Sequence, residues 1–474
     1  MTGHTLARLA LLADALLAAT VLCAPGRPRR AAAAAALVLT PVLLAAELWH
    51  STQVTHLRHH PALAAAGVLA AFVVVGALVL LVRSRPQLLA LLAVLALPFR
   101  FSFLAGGTGG ILIALYVVIA AGAVAFLLEG GGRDGAPGTL ERALGAFIVL
   151  YAIQALYTPA ASLSKAVEDV GFFLVPFSLL YVLLRRVPWD RALLARCARA
   201  VVALALVFVA VAALEYASRR LLFNTALNAN ARFFRVNSLF YDPNIFGRFL
   251  ALTIVLVTAS MLWEQRPRRV LAAVALLLVL WLGLLGTVSQ SSIVALLAGL
   301  AVLGAARFSL RWSAGAGAVV LAAGVAVALL ASGSLHLRSA NNATSDRANL
   351  VSTGIDLFAA RPIAGYGPGS FSCEFLLRTG QSCAHPPAGV TSDSHTIPVT
   401  VAAEQGVIGL VAYLLLLAAC AWRLAGAGVR QNVARLALLA AFAALVVHTW
   451  AYADFLEDPV TWSLLAVGSA LAAG

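Results

Sequence analysis

Charge is what this sequence has least of. Only 11% of its 474 residues are Asp, Glu, Lys or Arg, against 62% that are hydrophobic. A water-soluble protein of this length needs far more polar side chains to cover its surface, so that class is excluded. Alternating polar and apolar residues of the kind that build a transmembrane barrel are also missing. Segments that cross a bilayer without forming a closed barrel must be helices, because lipid cannot satisfy main-chain polar groups.

What is present is a succession of long apolar runs. Residues 61–82, 192–214 and 271–286 hold almost no charge, and several runs reach the ~20 residues that span a bilayer. The run Leu9–Leu22 reads as a first span and not as a signal peptide, because Arg27, Arg29 and Arg30 follow it instead of preceding it. Spans are expected at about 6–24, 33–49, 61–82, 87–104, 110–128, 143–159, 168–184, 192–215, 243–263, 270–287, 290–306, 314–332, 396–421, 435–452 and 459–473. The expected fold is all-α: one membrane domain over 1–474, a polytopic bundle of about 12–15 spans with one large, partly helical extracytoplasmic loop at 333–395.

The formal charge of +14 is almost entirely arginine, and its distribution indicates topology and not nucleic-acid binding. One set of alternate loops holds 20 of the 33 basic residues, including Arg27, Arg29 and Arg30, five arginines between Arg185 and Arg199, and Arg266, Arg268 and Arg269. Cytoplasmic loops collect such residues, so this set is assigned to the cytoplasm. Two loops on the other side break the pattern. Residues 216–242 carry Arg219, Arg220, Arg232 and Arg235, with Arg248 just beyond, and residues 333–395 carry Arg338, Arg347, Arg361 and Arg378. They fit either a cationic site for an anionic substrate or contacts with lipid phosphates. Within the larger loop, Asp346–Ala360 is expected to be helical, with Ser345 as N-cap and Pro362 as its stop. Gly365-Tyr-Gly-Pro-Gly369 reads as a tight turn and Ser370–Arg378 as a second short helix.

At the end of that loop stands His395, followed nine positions on by Glu404 within an otherwise apolar stretch. A carboxylate in a span costs roughly 2.5–3.5 kcal/mol on insertion scales, so it has a partner or a task. For Glu404 the candidates are a hydrogen bond between helices and the orientation of His395. An imidazole, with an ordinary pKa of ~6.5, accepts a proton at neutral pH and suits a general base; a capping or interface role for His395 is the plainer alternative.

Four segments in order, Arg235-Val-Asn-Ser-Leu-Phe-Tyr-Asp242-Pro-Asn244, Ser289-Gln290-Ser291-Ser292, Arg361-Pro-Ile-Ala-Gly365-Tyr366-Gly367-Pro-Gly-Ser-Phe371, and His395 with Ala-Glu404-Gln-Gly-Val-Ile-Gly409, resemble the signature of the O-antigen ligase and O-antigen polymerase superfamily. The resemblance covers about residues 230–420; the N-terminal half is similar only in being a hydrophobic bundle. It implies a metal-independent, inverting glycosyltransferase in the cytoplasmic membrane, working at its outer face without a cofactor. The donor it implies is a glycan on undecaprenyl diphosphate, and the acceptor a hydroxyl of a glycan or glycolipid. His395 matches the family's essential histidine, the proposed base. Arg235 and Arg347 match its diphosphate-binding arginines, with Arg232 a weaker neighbour. Asn244, Tyr366 and Glu404 are supporting positions, and Gln290 stands where relatives often carry an arginine. Neither donor sugar nor acceptor, nor the choice between ligase and polymerase, is encoded in these motifs.

His50, His56, His59 and His60 cluster in one short loop, but their spacing matches no established ligand pattern and no metal site is expected. Asp454, Glu457 and Asp458 read as a solvated turn in preference to a cation site. Cys373 and Cys383 both fall in the large outer loop, an oxidising location, and are expected to pair; Cys23, Cys197 and Cys420 read as apolar fillers. A transporter or flippase of lipid-linked glycans is the alternative function, and a non-catalytic lipid-binding scaffold a third. A transporter tends to show internal repeats and a site reachable from both faces; no repeat is visible, and the candidate residues lie on one side.

Overall fold

The computed structural model describes residues 3–99, 112–129, 136–228, 233–308, 340–383, 393–453 and 455–473, with only the main chain described at 52–53, 225–226 and 340–348. The chain is helical throughout, and no strand occurs among the described residues. The helices are α1 Gly3–Cys23, α2 Arg27–Glu47, α3 Thr52–His59, α4 Pro61–Ser84, α5 Leu88–Ala96, α6 Ile113–Leu128, α7 Thr139–Ala155, α8 Leu163–Glu168, α9 Val175–Arg186, α10 Arg191–Ser218, α11 Pro243–Leu262, α12 Pro267–Thr287 and α13 Gln290–Arg307. After residue 339 follow α14 Ala340–Ala360, α15 Phe371–Arg378, α16 Ile397–Leu424, α17 Val433–Trp450 and α18 Pro459–Leu471.

Ten helical stretches among the described residues are long and apolar enough to cross a membrane, and α6 and α18 are shorter apolar helices. The protein is a multi-pass membrane protein. The span expected at 314–332 lies outside the described residues, and of the one expected at 87–104 only Leu88–Ala96 is described as helix. The span expected at 168–184 starts earlier: a nearly fully buried helical stretch runs from Ala160 to Arg186, with a π-helical segment at Asp169–Leu174. Lys165, Glu168 and Asp169 lie inside it. Lys165 pairs with Asp169 and lies 3.7 Å from Glu457, and Asp169 also accepts a bond from the Tyr151 hydroxyl at 2.7 Å. Internal pairing of this kind is what allows charged residues within a span. Their charge is what hid the first part of the helix from a hydropathy reading.

The apolar core has two main parts. One joins α1, α2, α4–α9 and α18 with part of α16; the other joins α10–α13 and α17. The two ends of the bundle differ in chemistry. Glu141, in the first turn of α7, is surrounded by the arginine-rich loops, with Arg185 at 2.7 Å and the Tyr181 hydroxyl at 2.6 Å. Just past the other end of α7, the Thr158 hydroxyl donates to the Pro368 carbonyl at 3.1 Å, and its own carbonyl accepts from Arg8 at 2.7 Å. The motif-bearing segments therefore gather at the end of the bundle opposite the arginine-rich loops.

In the 340–378 region α14 begins at Ala340, so Ser345 lies within the helix and is not its N-cap. The helix stops at Ala360, just before Arg361-Pro362, as the restricted backbone around proline requires.

Candidate active site

The Gly365–Gly369 turn and the Glu404-Gln-Gly406 segment form one unit. Helix α16 is broken at Gly406, whose backbone is at φ 65° and ψ −164°. A break within a span frees main-chain groups that lipid cannot satisfy. Here the turn takes them up. Tyr366 N–H donates to the Ala403 carbonyl at 3.2 Å, Gly367 N–H to the Glu404 carbonyl at 2.7 Å, and Val407 N–H to the Pro362 carbonyl at 2.7 Å. The Gln154 side chain closes the set on the Gln405 carbonyl at 3.0 Å. The approach leaves no room for a side chain. A Cβ on Gly365 would lie 2.3 Å from the Glu404 carbonyl, and one on Gly406 would lie 2.2 Å from the Ile363 oxygen. Both glycines also hold positive φ.

Glu404 belongs to this unit and does not orient His395. Its carboxylate is buried and accepts from the main-chain N–H groups of Phe371, at 2.9 Å, and Gly369. It thus completes the start of α15, where unpaired N–H groups and the helix dipole favour an anion. From α15, Cys373 is joined to Cys383, with the Cα atoms 5.0 Å apart. Tyr366 carries the Arg361 guanidinium over its ring at 4.3 Å.

His395 has a different carboxylate. Its main-chain N–H donates to Asp393 Oδ1 at 2.6 Å, and its Nδ1 lies 3.7 Å from the same oxygen. The residue holds φ +56°, a conformation uncommon outside glycine and concentrated where a side chain must be aimed. Its side chain is 22% exposed. One ring face stacks on Tyr452, with centroids 5.7 Å apart and planes at 26°. Tyr452 in turn meets His448 of α17 edge to face at 5.6 Å. Neither Asp393 nor the His448–Tyr452 pair stands out in the sequence by periodicity. An aspartate two residues before a helix-entry histidine is the signal for the first, and a histidine in the last turn of a span for the second.

His448 is fully buried. Its Nε2 lies 3.4 Å from the Ser291 hydroxyl and 3.3 Å from that of Ser292. Both lie in the first turn of α13, just after the short polar turn that leads in from α12. There the Ser289 hydroxyl is bonded to Ser291 and Ser292 and donates to Asn244 Oδ1 at 2.9 Å. Asn244 Oδ1 also accepts from Arg235 Nη2 at 3.2 Å, while Arg235 Nε donates to the Thr287 carbonyl at 3.0 Å. Asp242 caps α11 through Asn244 N–H at 2.6 Å, with Pro243 at the first helical position. The main chain of Arg235 is held by the Asn228 side-chain amide, which donates to the Arg235 carbonyl and accepts from its N–H, both at 3.0 Å. Glu215, buried in the last turn of α10, anchors the same segment by accepting from Asn237 and Ser238 N–H at 3.2 and 2.8 Å. The structure therefore joins His395 to Arg235 by a continuous series of contacts across four segments. Gln290 sits exposed at the start of α13. Arg232 and the side chain of Arg347 lie outside the described residues; the main chain of Arg347 is in α14.

In the acidic turn after α17, Asp458 is not solvated. Asp458 is buried, pairs with the equally buried Arg248 of α11 at 2.8 Å, and caps α18 through Val460 N–H at 2.9 Å. Asp454 is outside the described residues. Of the clustered histidines His56 and His59 lie in α3 and not in a loop; the His56 and His60 rings lie 4.6 Å apart, and no group of three or more metal-ligating side chains forms among the described residues.

Comparison with curated proteins finds no match. Residues 273–414, from within α12 to within α16, match the family model described as O-antigen ligase, which supports placing this multi-pass membrane protein in the O-antigen ligase and polymerase superfamily.

Proposed function

We propose that the protein is a glycosyltransferase of the ligase or polymerase type, moving a glycan from undecaprenyl diphosphate to an acceptor hydroxyl at the outer face of the cytoplasmic membrane. The observation that carries this reading is the contact series from His395 through Tyr452, His448, the serine turn and Asn244 to Arg235. It links an imidazole and a guanidinium at one end of a membrane bundle, which supports the reading. The end opposite the arginine-rich loops is the outer one by the charge rule.

In this reading His395 Nε2 takes the proton of the acceptor hydroxyl as its oxygen attacks the anomeric carbon. The bond from that carbon to phosphate breaks, undecaprenyl diphosphate leaves with the electron pair, and configuration inverts. Asp393 lies on the Nδ1 side and stabilises the imidazolium that forms. Charge growing on the leaving diphosphate is taken by Arg235, with Arg347 and Arg232 as further candidates from the sequence, since guanidinium binds phosphate oxygens in a bidentate manner. No step calls for a metal or cofactor.

The test incubates the purified protein in lipid with a defined undecaprenyl-diphosphate glycan and candidate acceptors, followed by mass analysis. Transfer to a new anchor or chain lengthening is expected. His395→Ala should lower it by roughly 10²–10⁴-fold, and Arg235→Ala by roughly 10²–10³-fold, with both variants inserted normally. Movement of the lipid-linked glycan between leaflets without covalent transfer would replace this reading with a transporter.

A further inference from the structure

Tyr452 lies between two histidines. Its ring stacks on His395 at 5.7 Å and meets His448 edge to face at 5.6 Å. His395 sits on the short segment before α16, where its own backbone bond to Asp393 fixes the main chain but not the ring. The ring itself lies 3.7 Å from the carboxylate, beyond hydrogen-bond length. His448 has the opposite character. It is fully buried, on a long helix, with Nε2 shared by two serine hydroxyls that are themselves buried. Those serines sit one hydrogen bond from Ser289, whose hydroxyl shares the Asn244 oxygen with Arg235. Of the two histidines only the fully buried one has its ring held by hydrogen bonds among the described residues, and Tyr452 carries that constraint outward to the half-buried one.

We propose that His448 is a positioning residue: acting through Tyr452, it fixes the imidazole plane of His395 and ties it to the serines that share Asn244 with Arg235. This rests on the reading of His395 as the base, and it goes beyond that reading by adding a residue outside the four motifs and outside the matched segment 273–414. The physical reason is rotamer control. The His395 ring is 22% exposed and its Nδ1 makes no hydrogen bond among the described residues, so hydrogen bonding there does not set its plane. Proton abstraction needs the acceptor hydroxyl within hydrogen-bond reach of one nitrogen, and misplacement by about 1 Å can cost about 10²-fold. Aromatic pairs with centroids at 4.5–7 Å restrict such rotation. The device costs the membrane domain a buried imidazole, which the paired serine hydroxyls stabilise.

Two measurements test it, one of which needs no enzymatic activity. The first is the rate of diethylpyrocarbonate modification of His395, followed by peptide mass analysis, with the exposed His56 and His60 as internal references. His448→Ala and Tyr452→Ala should each change the His395 rate at least several-fold and leave the references unchanged. An unaltered His395 rate in both variants overturns the proposal. It does so even if wild-type protein transfers no glycan, a result that would instead count against the proposed function.

The second is steady-state transfer. His448→Ala should lower kcat by about 10–100-fold with the donor KM unchanged, and Tyr452→Ala should do the same. The double variant should be no worse than either single one, because both act on one ring. His448→Asn, which keeps a polar group against the serines, should recover part of the loss. Multiplying losses, a change confined to KM, or wild-type kcat in His448→Ala each overturn the proposal. If His448→Ala fails to insert, the pair Ser291→Ala and Ser292→Ala removes the hydroxyls and leaves the imidazole. It should then lower kcat in the same direction, and unchanged kcat in that variant overturns the proposal.

Discussion

The Glu404 carboxylate accepts the main-chain N–H of Phe371 at 2.9 Å, so a carboxylate within a span starts a helix that lies outside it. The same span breaks two residues later at Gly406, and the backbone freed there is bonded to the turn leading to Phe371. The side chain and the main chain of one short stretch thus fasten the 361–378 segment onto the bundle from two directions.

Replacement of Glu404 separates these contributions. Glu404→Gln keeps an acceptor oxygen and should lower stability little. Glu404→Ala leaves two buried N–H groups without their acceptor and should cost roughly 1–3 kcal/mol. Thermal unfolding in detergent checks both, and equal Tm values for the two variants would refute the assignment.

Gly406→Ala should be far more harmful than a glycine-to-alanine change elsewhere in the bundle. The new Cβ would meet the Ile363 oxygen at 2.2 Å while holding φ +65°. Backbone strain of this kind is about 1–3 kcal/mol before any displacement of the turn. Gly76→Ala in α4, where nothing lies within 4 Å of the added carbon, is the control and should be neutral or slightly stabilising. The recovery of monodisperse protein and its Tm distinguish the two.

Arg248→Met should cost about 3–5 kcal/mol, since it strands a carboxylate that is 3% exposed. Asp458→Asn keeps a cap for α18 and leaves Arg248 its bond to the Ala453 carbonyl, and should cost less. Their combination should cost clearly less than the two added together. Additive losses in the double-mutant cycle would show that the pair contributes nothing as a pair.

Cys373 and Cys383 should resist alkylation in intact membranes without reductant and become labelled after it. Cys373→Ser should lower the resistance of 371–383 to protease, with a loss of about 2–4 kcal/mol for the closed loop. Labelling of both residues without reductant would contradict the bond.

Much of the architecture was legible in the sequence because its signals are local. Length and hydropathy identify a span, and the arginine count of each loop assigns it to one end; neither needs knowledge of what packs against what. The motifs around Arg235, Ser289, Gly365 and His395 were visible for the same reason, as short runs whose composition departs from the apolar background. Lys165, Glu168 and Asp169 masked the start of one span, because their charge lowers the local hydropathy while the approach of Lys165 to Glu457 is set by packing far along the chain.

By itself the sequence determined a polytopic helical membrane protein, the loops at each end, and a histidine and arginines gathered at the end away from the basic loops. Only the tertiary structure decided who serves whom. It gave Glu404 to Phe371 in place of His395, gave Asp393 to His395, buried Asp458 against Arg248, and brought His448 from α17 to the serines at the start of α13. The physical reason is that a hydrogen bond or a ring contact is satisfied by whatever lies within a few ångströms. In a bundle of antiparallel spans, that neighbour is set by helix packing and not by distance along the chain.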